Sequence, residues 1–219
     1  MLPEARPDAT FDLPKVETRL VDIRDREQVT AFVDGVDAVV HLAGEQETSA
    51  SWDQLLGPNV EGAFNVFDAC RACSVDKIVF ASSNHVIGGY DLAAQRGLDG
   101  SETVRPDSLY GVTKAFGEAL GRYLSDRYAI SIICLRIGWV LPVPRGPEAL
   151  RMWLSPRDLC ALVDASLPAD VRFGIYYGTS RNSRGLWDLA PAMTDLGYAP
   201  LDDSESFLDP HASEPSLPG

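Results

Sequence analysis

The sequence predicts an α/β protein built on a doubly wound parallel sheet. Short runs rich in Val, Ile, Leu and aromatic residues alternate along the chain with longer helical patterns. The apolar runs are nearly continuous, which is typical of strands buried on both faces. Strands and helices that alternate this regularly imply parallel pairing through right-handed crossovers.

The elements follow from these patterns in chain order. The predicted strands are RLVDI (19–23), DAVVHLAG (37–44), DKIVFASS (76–83), ISIICLRIG (130–138) and FGIYYGTS (173–180). The predicted helices cover residues 25–34, 52–73, 108–128, 155–167 and 186–196. SPRD (155–158) has the form of a capping box, with Ser155 as N-cap and Asp158 three residues on, and we expect it to have a structural role.

Length and composition predict one domain over residues 1–200. The 219 residues are 45% hydrophobic, which is ample material for a core. With 19 basic and 32 acidic side chains the net charge is −13, so binding to nucleic acid or anionic lipid is not expected. No apolar run approaches the roughly 18 residues of a membrane span, and MLPEARPDAT has no apolar signal core, so the chain is predicted to be cytoplasmic. The acidic, proline-containing stretch 201–219 is predicted to be a disordered tail.

The cysteines do not predict a metal site. Cys70 and Cys73 form a C-x-x-C pair, but the other two cysteines and the three histidines are scattered singly. A structural zinc site needs a second pair at suitable spacing. Cysteines three apart on a helix are well explained as small core residues.

The candidate chemistry lies at the carboxyl ends of the strands, where ligands of such sheets bind. Ser83 ends the third run, and about 25 residues later Tyr110 and Lys114 stand four apart at a helix start, on one face. An unperturbed Tyr hydroxyl titrates near about 10, too high for a general base at neutral pH, and a neighbouring ammonium favours the phenolate. Gly117 and Gly121 continue the stripe and predict close packing of this helix face on the sheet.

A Tyr and a Lys four apart also occur by chance in ordinary amphipathic helices, so the pair alone is a weak motif. Its context favours catalysis, because a strand ending in a double serine, a loop of about 25 residues and then the helix follow in order.

Several stretches together resemble one family. DIRD, VVHLAG, NVEGAFNVFDAC, IVFASSNHVIGGY, RPDSLYGVTKAFGE and LRIG are similar to successive signatures of the extended short-chain dehydrogenases/reductases, the NAD-dependent epimerase/dehydratase family. SSNHVIG, LYGVTKAFGE, RIG and MWLS followed by RD resemble most closely the uronate dehydrogenases and related NAD-dependent glucose-6-phosphate dehydrogenases. The resemblance runs from about residue 19 to 200 and implies a Rossmann-like fold.

The resemblance implies a role for each matching position. Tyr110 would take the hydroxyl proton, Ser83 would orient that oxygen, and Lys114 would lower the pKa of Tyr110 and bind the nicotinamide ribose. The implied cofactor contacts are Asp22, Ile23, Leu42, Ala43, Gly44, Asn59, Ala81, Tyr110, Lys114 and Ile137.

The implied substrate contacts are Ser83, Asn84, His85, Trp139, Arg145 and Arg151. Asn84 and His85 match residues that hold sugar hydroxyls, although a solvated loop histidine is the alternative for His85. Trp139 stands where the uronate enzymes carry a small serine, and an ungapped count places Glu148 at the position of their carboxylate-binding Arg. Arg145 and Arg151 lie close by, and a guanidinium suits either a carboxylate or a phosphate.

One part of the family pattern is absent. The dinucleotide site of this fold begins with a strand, a glycine-rich turn and a helix that receives the pyrophosphate. Nothing before Asp22 has that pattern, so the first strand, first helix and second strand are expected to be missing, through truncation or a mis-assigned start. The acidic residue that selects NAD at the end of the second strand is missing too, which leaves NADP open.

These observations predict an NAD-dependent oxidoreductase that oxidises C1 of a small sugar to a lactone. The substrate lobe, predicted at 139–170 within about 60 remaining residues, fits a sugar acid or sugar phosphate better than a nucleotide-sugar. The alternatives are a sugar epimerase or dehydratase, and a catalytically silent fragment of such an enzyme. The resemblance also implies a dimer or higher homo-oligomer formed through the helices at 52–73 and 108–128.

Overall fold

The computed structural model describes residues 16–207, and its main sheet consists of four parallel strands. These are β1 (Ala38–His41), β2 (Lys77–Ser83), β3 (Ser131–Ile137) and β6 (Phe173–Gly178), in the order β1-β2-β3-β6. The two-residue strands β4 (Trp139–Val140) and β5 (Trp153–Leu154) form a separate parallel pair. The predicted parallel α/β architecture is confirmed.

Helices cover both faces of this sheet. They are α1 (Arg26–Val33), α2 (Trp52–Leu55), α3 (Gly62–Ala72), α4 (Leu109–Tyr128), α5 (Gly146–Met152) and α6 (Pro156–Ser166). α1, α3 and α4 enclose a core around Phe67, Phe80 and Ile132, whereas α6 and residues 192–198 enclose a second core around Val79, Ile133 and Tyr176. None of the helices between residues 16 and 207 has the length and apolar character needed to cross a bilayer.

The predicted strand at 19–23 is wrong. Residues 16–22 have no regular secondary structure, and β1 pairs on one side only, with β2. A cleft of ≈ 690 Å³ is lined by residues of this segment, Arg19, Val21 and Ile23, and by residues 38–43. The segment has a strand-like sequence, but among residues 16–207 it has no neighbouring strand to hydrogen-bond with, and a strand is not stable alone.

The predicted helix 52–73 is interrupted by one wide turn. Its middle, Leu56–Glu61, is a π-helix that contains Pro58 and Asn59. Proline has no backbone N–H to donate, and π turns inside helices are frequent at functional sites.

The predicted helix 186–196 is regular only at its end, as the π-helix Ala192–Leu196. Leu186 and Trp187 instead pack into a third apolar cluster with Val86 and Tyr177. This tertiary packing keeps the first part of the segment irregular.

The predicted tail is ordered where the structure describes it. The Asp158 carboxylate accepts hydrogen bonds from the backbone N–H groups of Leu201 and Asp202, each at 3.0 Å. Ser204–Phe207 forms a 3₁₀ turn, and Ser204 is fully buried. Ser155 caps α6 by accepting from the Asp158 N–H at 3.0 Å, as expected. Residues 208–219 of the predicted tail lie outside the described residues.

The cysteine pair belongs to the core side of α3. Cys70 is fully buried, and burial raises the pKa of its thiol to about 12, so it is unreactive. Cys73 is half-buried, and both thiols are free. Within residues 16–207 no three His, Cys, Asp or Glu side chains converge as a metal site would require.

Close packing of α4 on the sheet depends on Gly117. A Cβ atom at this position would overlap the Cζ and Cε1 atoms of Phe80, whose ring is buried and in edge contact with Phe67. We expect Gly117→Ala to lower the free energy of unfolding by about 1–3 kcal/mol, because the cost of overpacking against Phe80 exceeds the gain from the higher helix propensity of Ala. Urea unfolding measures this change.

Gly57→Ala is the matched control, because its Cβ would meet only the flexible Arg24 side chain, at 3.1 Å. Unchanged or increased stability of Gly117→Ala would contradict the packing argument.

Candidate active site

The first group of candidate residues lies where β2 ends. Ser83 is the last residue of the strand and pairs in register with Ile137 of β3. Its hydroxyl accepts a hydrogen bond from the His85 backbone N–H at 3.2 Å and so caps the 3₁₀ turn Asn84–Val86. The turn holds the Ser83, Asn84 and His85 side chains at the carboxyl edge of the sheet.

The start of α4 is held against this turn. Ser108 is the N-cap, and its hydroxyl accepts from the Gly111 N–H at 3.1 Å. A Cβ atom at Gly111 would overlap the carbonyl oxygen of His85. The absence of a side chain there lets the helix bring Tyr110 and Lys114 up to the end of β2.

The structure brings Ser83, Tyr110 and Lys114 together. Lys114 is 7% exposed, and its ammonium donates to the Ala81 carbonyl at 2.8 Å and lies 5.5 Å from the centre of the Tyr110 ring. Burial raises the pKa of Tyr110, and the neighbouring Ser83 hydroxyl partly offsets that rise. Burial also lowers the pKa of Lys114 to about 8, so the ammonium is still charged at neutral pH.

His85 has a defined partner and is not a loosely solvated loop side chain. Its Nδ1 lies 2.8 and 3.0 Å from the two carboxylate oxygens of Asp107. Nδ1 therefore carries a proton toward Asp107, which leaves Nε2 as the ring atom available to a ligand. The imidazole also makes an edge contact with the Tyr110 ring, with centroids 5.8 Å apart.

Several predicted cofactor contacts lie in the cleft beside β1 and in the loop that follows β1. Ile23, Leu42 and Ala43 line the cleft beside β1. Gly44 follows with φ +154°, and a Cβ there would lie 2.9 Å from the Asn59 side-chain oxygen.

Asn59 links the loop after β1 to α4. It accepts from the Glu45 N–H at 2.7 Å and donates to the Thr113 hydroxyl at 3.1 Å, one residue before Lys114. The loop after β1 is thereby fixed to the helix that carries Tyr110 and Lys114. Asp22, by contrast, makes an exposed ion pair with Arg24 at 2.6 Å, which lowers the pKa of its carboxyl to about 2.

The predicted substrate contacts after β3 lie on or beside α5. Met152, at the end of α5, approaches Asn84, with its sulfur 3.9 Å from the Asn84 amide nitrogen. Arg151 is therefore one residue from a contact with the site, whereas Arg145 is the exposed N-cap residue at the far end of the helix, about 9 Å away along its axis. Glu148 is exposed in the first turn of the same helix.

Trp139 belongs to the apolar wall on this side. It forms strand β4 beside Trp153 and packs against the cluster of Val86, Ile87 and Tyr177. Its bulk adjoins the turn that carries Asn84 and His85.

Sequence reasoning did not find Asp107, Thr113 and Glu118. Asp107 and Thr113 reach their partners through the fold, across 22 and 54 residues, and no local spacing reveals this. Glu118 carries a usable signal, because it stands four residues after Lys114 on the same helix face.

His41, behind the site, predicts acid sensitivity. It is 5% exposed among Phe67 and Phe80, and burial, with a smaller contribution from the Lys114 charge, lowers its pKa to about 4. The unfolded chain binds this proton at about pH 6.5 but the folded chain does not, so stability falls as pH decreases from about 6.5 to about 4, by about 3 kcal/mol.

We expect His41→Leu to lose most of this dependence in urea unfolding at pH 7 and pH 4.5. His85→Gln, which retains His41, is the control and should keep the acid loss. An equal loss in wild type and His41→Leu would refute the assignment.

A parallel sheet with helices on both faces, and a Ser, a Tyr and a Lys converging at its carboxyl edge, defines a Rossmann-like protein of the short-chain dehydrogenase/reductase class. The chain belongs to the NAD dependent epimerase/dehydratase family, whose model matches residues 3–165.

Several similar proteins are named as sugar dehydrogenases. The chain is 39% identical over 204 residues to the NAD-dependent glucose-6-phosphate dehydrogenase of Haloferax volcanii, covering 87% of this chain and 78% of that protein. It is 38% identical over 212 residues to the uronate dehydrogenase of Pseudomonas putida, covering 93% and 78%. A crystal structure of a uronate dehydrogenase mutant from Agrobacterium tumefaciens complexed with NAD superposes with a TM-score of 0.80 at 35% identity, covering 87% and 75%.

Proposed function

We propose that this chain is an NAD-dependent dehydrogenase that oxidises C1 of a small sugar, either a uronate or a sugar phosphate, to a lactone. The observation that carries the proposal is the convergence of Ser83, Tyr110 and Lys114 at the end of β2. The similarity to uronate and glucose-6-phosphate dehydrogenases supports the same reaction.

The described residues fit the nicotinamide end of NAD. Lys114 uses one N–H on the Ala81 carbonyl, and its other two donors suit ribose hydroxyls. Leu42, Ala43 and Gly44 would border the cofactor, and Ile23 would contact adenine from the same cleft. The sequence contains no G-x-G-x-x-G, so the pyrophosphate has no ready-made glycine-rich cradle within it.

Bound NAD would supply the hydride acceptor for C1. Tyr110 would remove the proton from the C1 hydroxyl, and Ser83 would hold the same oxygen through its hydroxyl. Burial alone raises the pKa of Tyr110, and the positive charge of Lys114 would lower that pKa and so favour the phenolate. Ile137, in register beside Ser83, would pack against the nicotinamide.

The sugar would lie between the Asn84–His85 turn and α5. Because His85 donates its Nδ1 proton to Asp107, its Nε2 would accept a hydrogen bond from one sugar hydroxyl. Asn84 would bind a second hydroxyl. We assign the anionic group of the sugar to Arg151, which adjoins the Met152 contact with Asn84. Arg145 would then lie at the entrance, and Trp139 would limit the size of the sugar.

A spectroscopic screen tests the reaction. The chain is mixed with NAD or NADP and a panel of free aldoses, uronates and hexose phosphates, and absorbance by the reduced cofactor is followed. Net accumulation of NADH with an anionic sugar is expected, and NADP should be the poorer oxidant. Sugar interconversion without net NADH would assign an epimerase instead, and no conversion of any sugar would refute the proposal.

We infer a cytoplasmic dimer as the working form. Exposed apolar side chains on α2, α3 and α4, including Trp52, Phe64 and Val112, supply an apolar surface for a second copy. The free thiols are consistent with a reducing compartment. Light scattering that gave the mass of a monomer would exclude the dimer.

A further inference from the structure

A buried polar network lies beneath the candidate site. Arg136 is 1% exposed and binds Glu118 through two parallel hydrogen bonds, Nε to Oε1 and Nη2 to Oε2, both 2.9 Å. Ser82 donates to the same carboxylate at 2.6 Å. The remaining guanidinium nitrogen pairs with Glu102, which also accepts from the Tyr177 hydroxyl.

The network joins α4 to the strands β2, β3 and β6 at one row of residues across the sheet. Sheet register places Ser82 beside Arg136 and Arg136 beside Tyr177, one residue before the strands end. Glu118 reaches this row from α4, one turn after Lys114. The ion pair therefore lies directly behind the reactive groups on both elements.

The same network fixes the loop that precedes α4. Glu102 belongs to the loop 88–107, accepts from the Gly100 N–H at 3.0 Å, and is tied to Arg136. The loop continues to Asp107, the partner of His85, and to Ser108, which caps α4. Arg136 is thus bonded to the loop before α4 through Glu102 and to α4 itself through Glu118, and Tyr110 lies between these two points in the chain.

Stability alone does not account for these charges. Taking an Arg and two carboxylates out of water is costly, and apolar residues of similar volume often stabilise a core as well. A bidentate pair, however, fixes distance and angle in a way that apolar packing does not. The network has no part in the chemistry assigned to Ser83, Tyr110 and Lys114, so its value lies in geometry.

We propose that Arg136 and Glu118 are positioning residues that set the distance between the end of β2 and α4, and so hold Ser83 beside Tyr110. The proposal rests on the proposed function for its kinetic consequence only.

Glu118→Gln tests it, because the side chain keeps its shape but loses one hydrogen-bond acceptor and its charge. We expect kcat to fall about 10- to 100-fold, since a displacement of about 1 Å can cost 100-fold. KM for NAD and for the sugar should change less than threefold. Asp126→Asn, which breaks the exposed Arg122–Asp126 pair on the same helix, is the matched control and should leave kcat unchanged.

A readout independent of turnover separates this proposal from the proposed function. The phenol of Tyr110 is titrated by ultraviolet absorbance as the difference between each protein and its Tyr110→Phe version. Ser83 lowers the pKa of Tyr110. If Glu118→Gln moves Ser83 away from Tyr110, the midpoint of this titration should shift to higher pH. If the wild type oxidised no sugar but the titration still moved, the function would fail and the positioning role would stand.

Unchanged kcat and an unchanged Tyr110 titration in Glu118→Gln, with only a lower melting temperature, would overturn the proposal. If Glu118→Gln did not fold, Ser82→Ala would remove the single Ser82–Glu118 bond and should shift the titration in the same direction. An unmoved titration in Ser82→Ala would then decide against the positioning role.

Discussion

Tyr110→Phe is expected to slow sugar oxidation by roughly 100- to 10,000-fold while leaving the protein folded. The change removes only the hydroxyl that would accept the C1 proton, and general acid–base groups contribute roughly 100- to 10,000-fold to rate. Ser83 and Lys114 remain, but neither replaces the phenolate. We expect kcat to fall by that factor, with KM for NAD nearly unchanged, in the NADH absorbance assay.

Tyr123→Phe is the matched control for this loss. Tyr123 lies on the same helix, is 56% exposed and has its ring against Tyr128, more than three turns of helix beyond Tyr110, so its hydroxyl should be dispensable. Equal melting temperatures of the two variants would exclude unfolding as the cause. Full activity of Tyr110→Phe would show that Tyr110 is not the base.

Lys114→Met should move the pH dependence of the reaction to higher pH. The active form of Tyr110 is the phenolate, so the rate rises as pH passes through the pKa of Tyr110. Burial already raises that pKa. The Lys114 ammonium is charged below about pH 8 and lies 5.5 Å from the centre of the Tyr110 ring, and a positive charge this close favours the negative form of Tyr110. Without it the rising limb should shift upward by about one pH unit or more, with at least about a tenfold loss of kcat/KM at pH 7.

Lys77→Met serves as the control, because Lys77 is half-buried and binds the Ser166 carbonyl at 3.2 Å, in a part of the sheet remote from Tyr110. Its pH profile should match that of the wild type. A Lys114→Met profile that kept the wild-type midpoint would count against any electrostatic role for Lys114, even if the rate were lower.

The parts of the fold that the sequence predicts are those set by local patterns. Four strands have continuous apolar runs and the helices α1, α3, α4 and α6 have an apolar helical stripe, and all four strands form. The glycine stripe on α4 correctly predicts close packing, because Gly117 and Gly121 both face sheet residues. The Ser83, Tyr110 and Lys114 positions follow from strand ends and helix spacing in the same way.

The remaining features depend on tertiary partners. The segment 19–23 has the composition of a strand, yet it pairs with no strand in the described part of the chain and stays irregular. Residues 201–207 have a tail-like composition, yet the Asp158 carboxylate binds their backbone. Arg136 and Glu118 are 18 residues apart on two elements, so the sequence does not reveal that they pair, although Glu118 shares a helix face with Lys114.

Binding of NAD is the most direct test of the central claim, because every proposed role of Tyr110, Lys114 and the cleft beside β1 requires the cofactor to lie there. The measurement is a calorimetric titration of the chain with NAD, repeated with Lys114→Met. We predict saturable binding by the wild type that is weaker in Lys114→Met, since the ribose loses two hydrogen-bond donors. Absence of saturable heat in the wild type would contradict the assignment of this site to NAD and, with it, the proposed dehydrogenase activity of the chain.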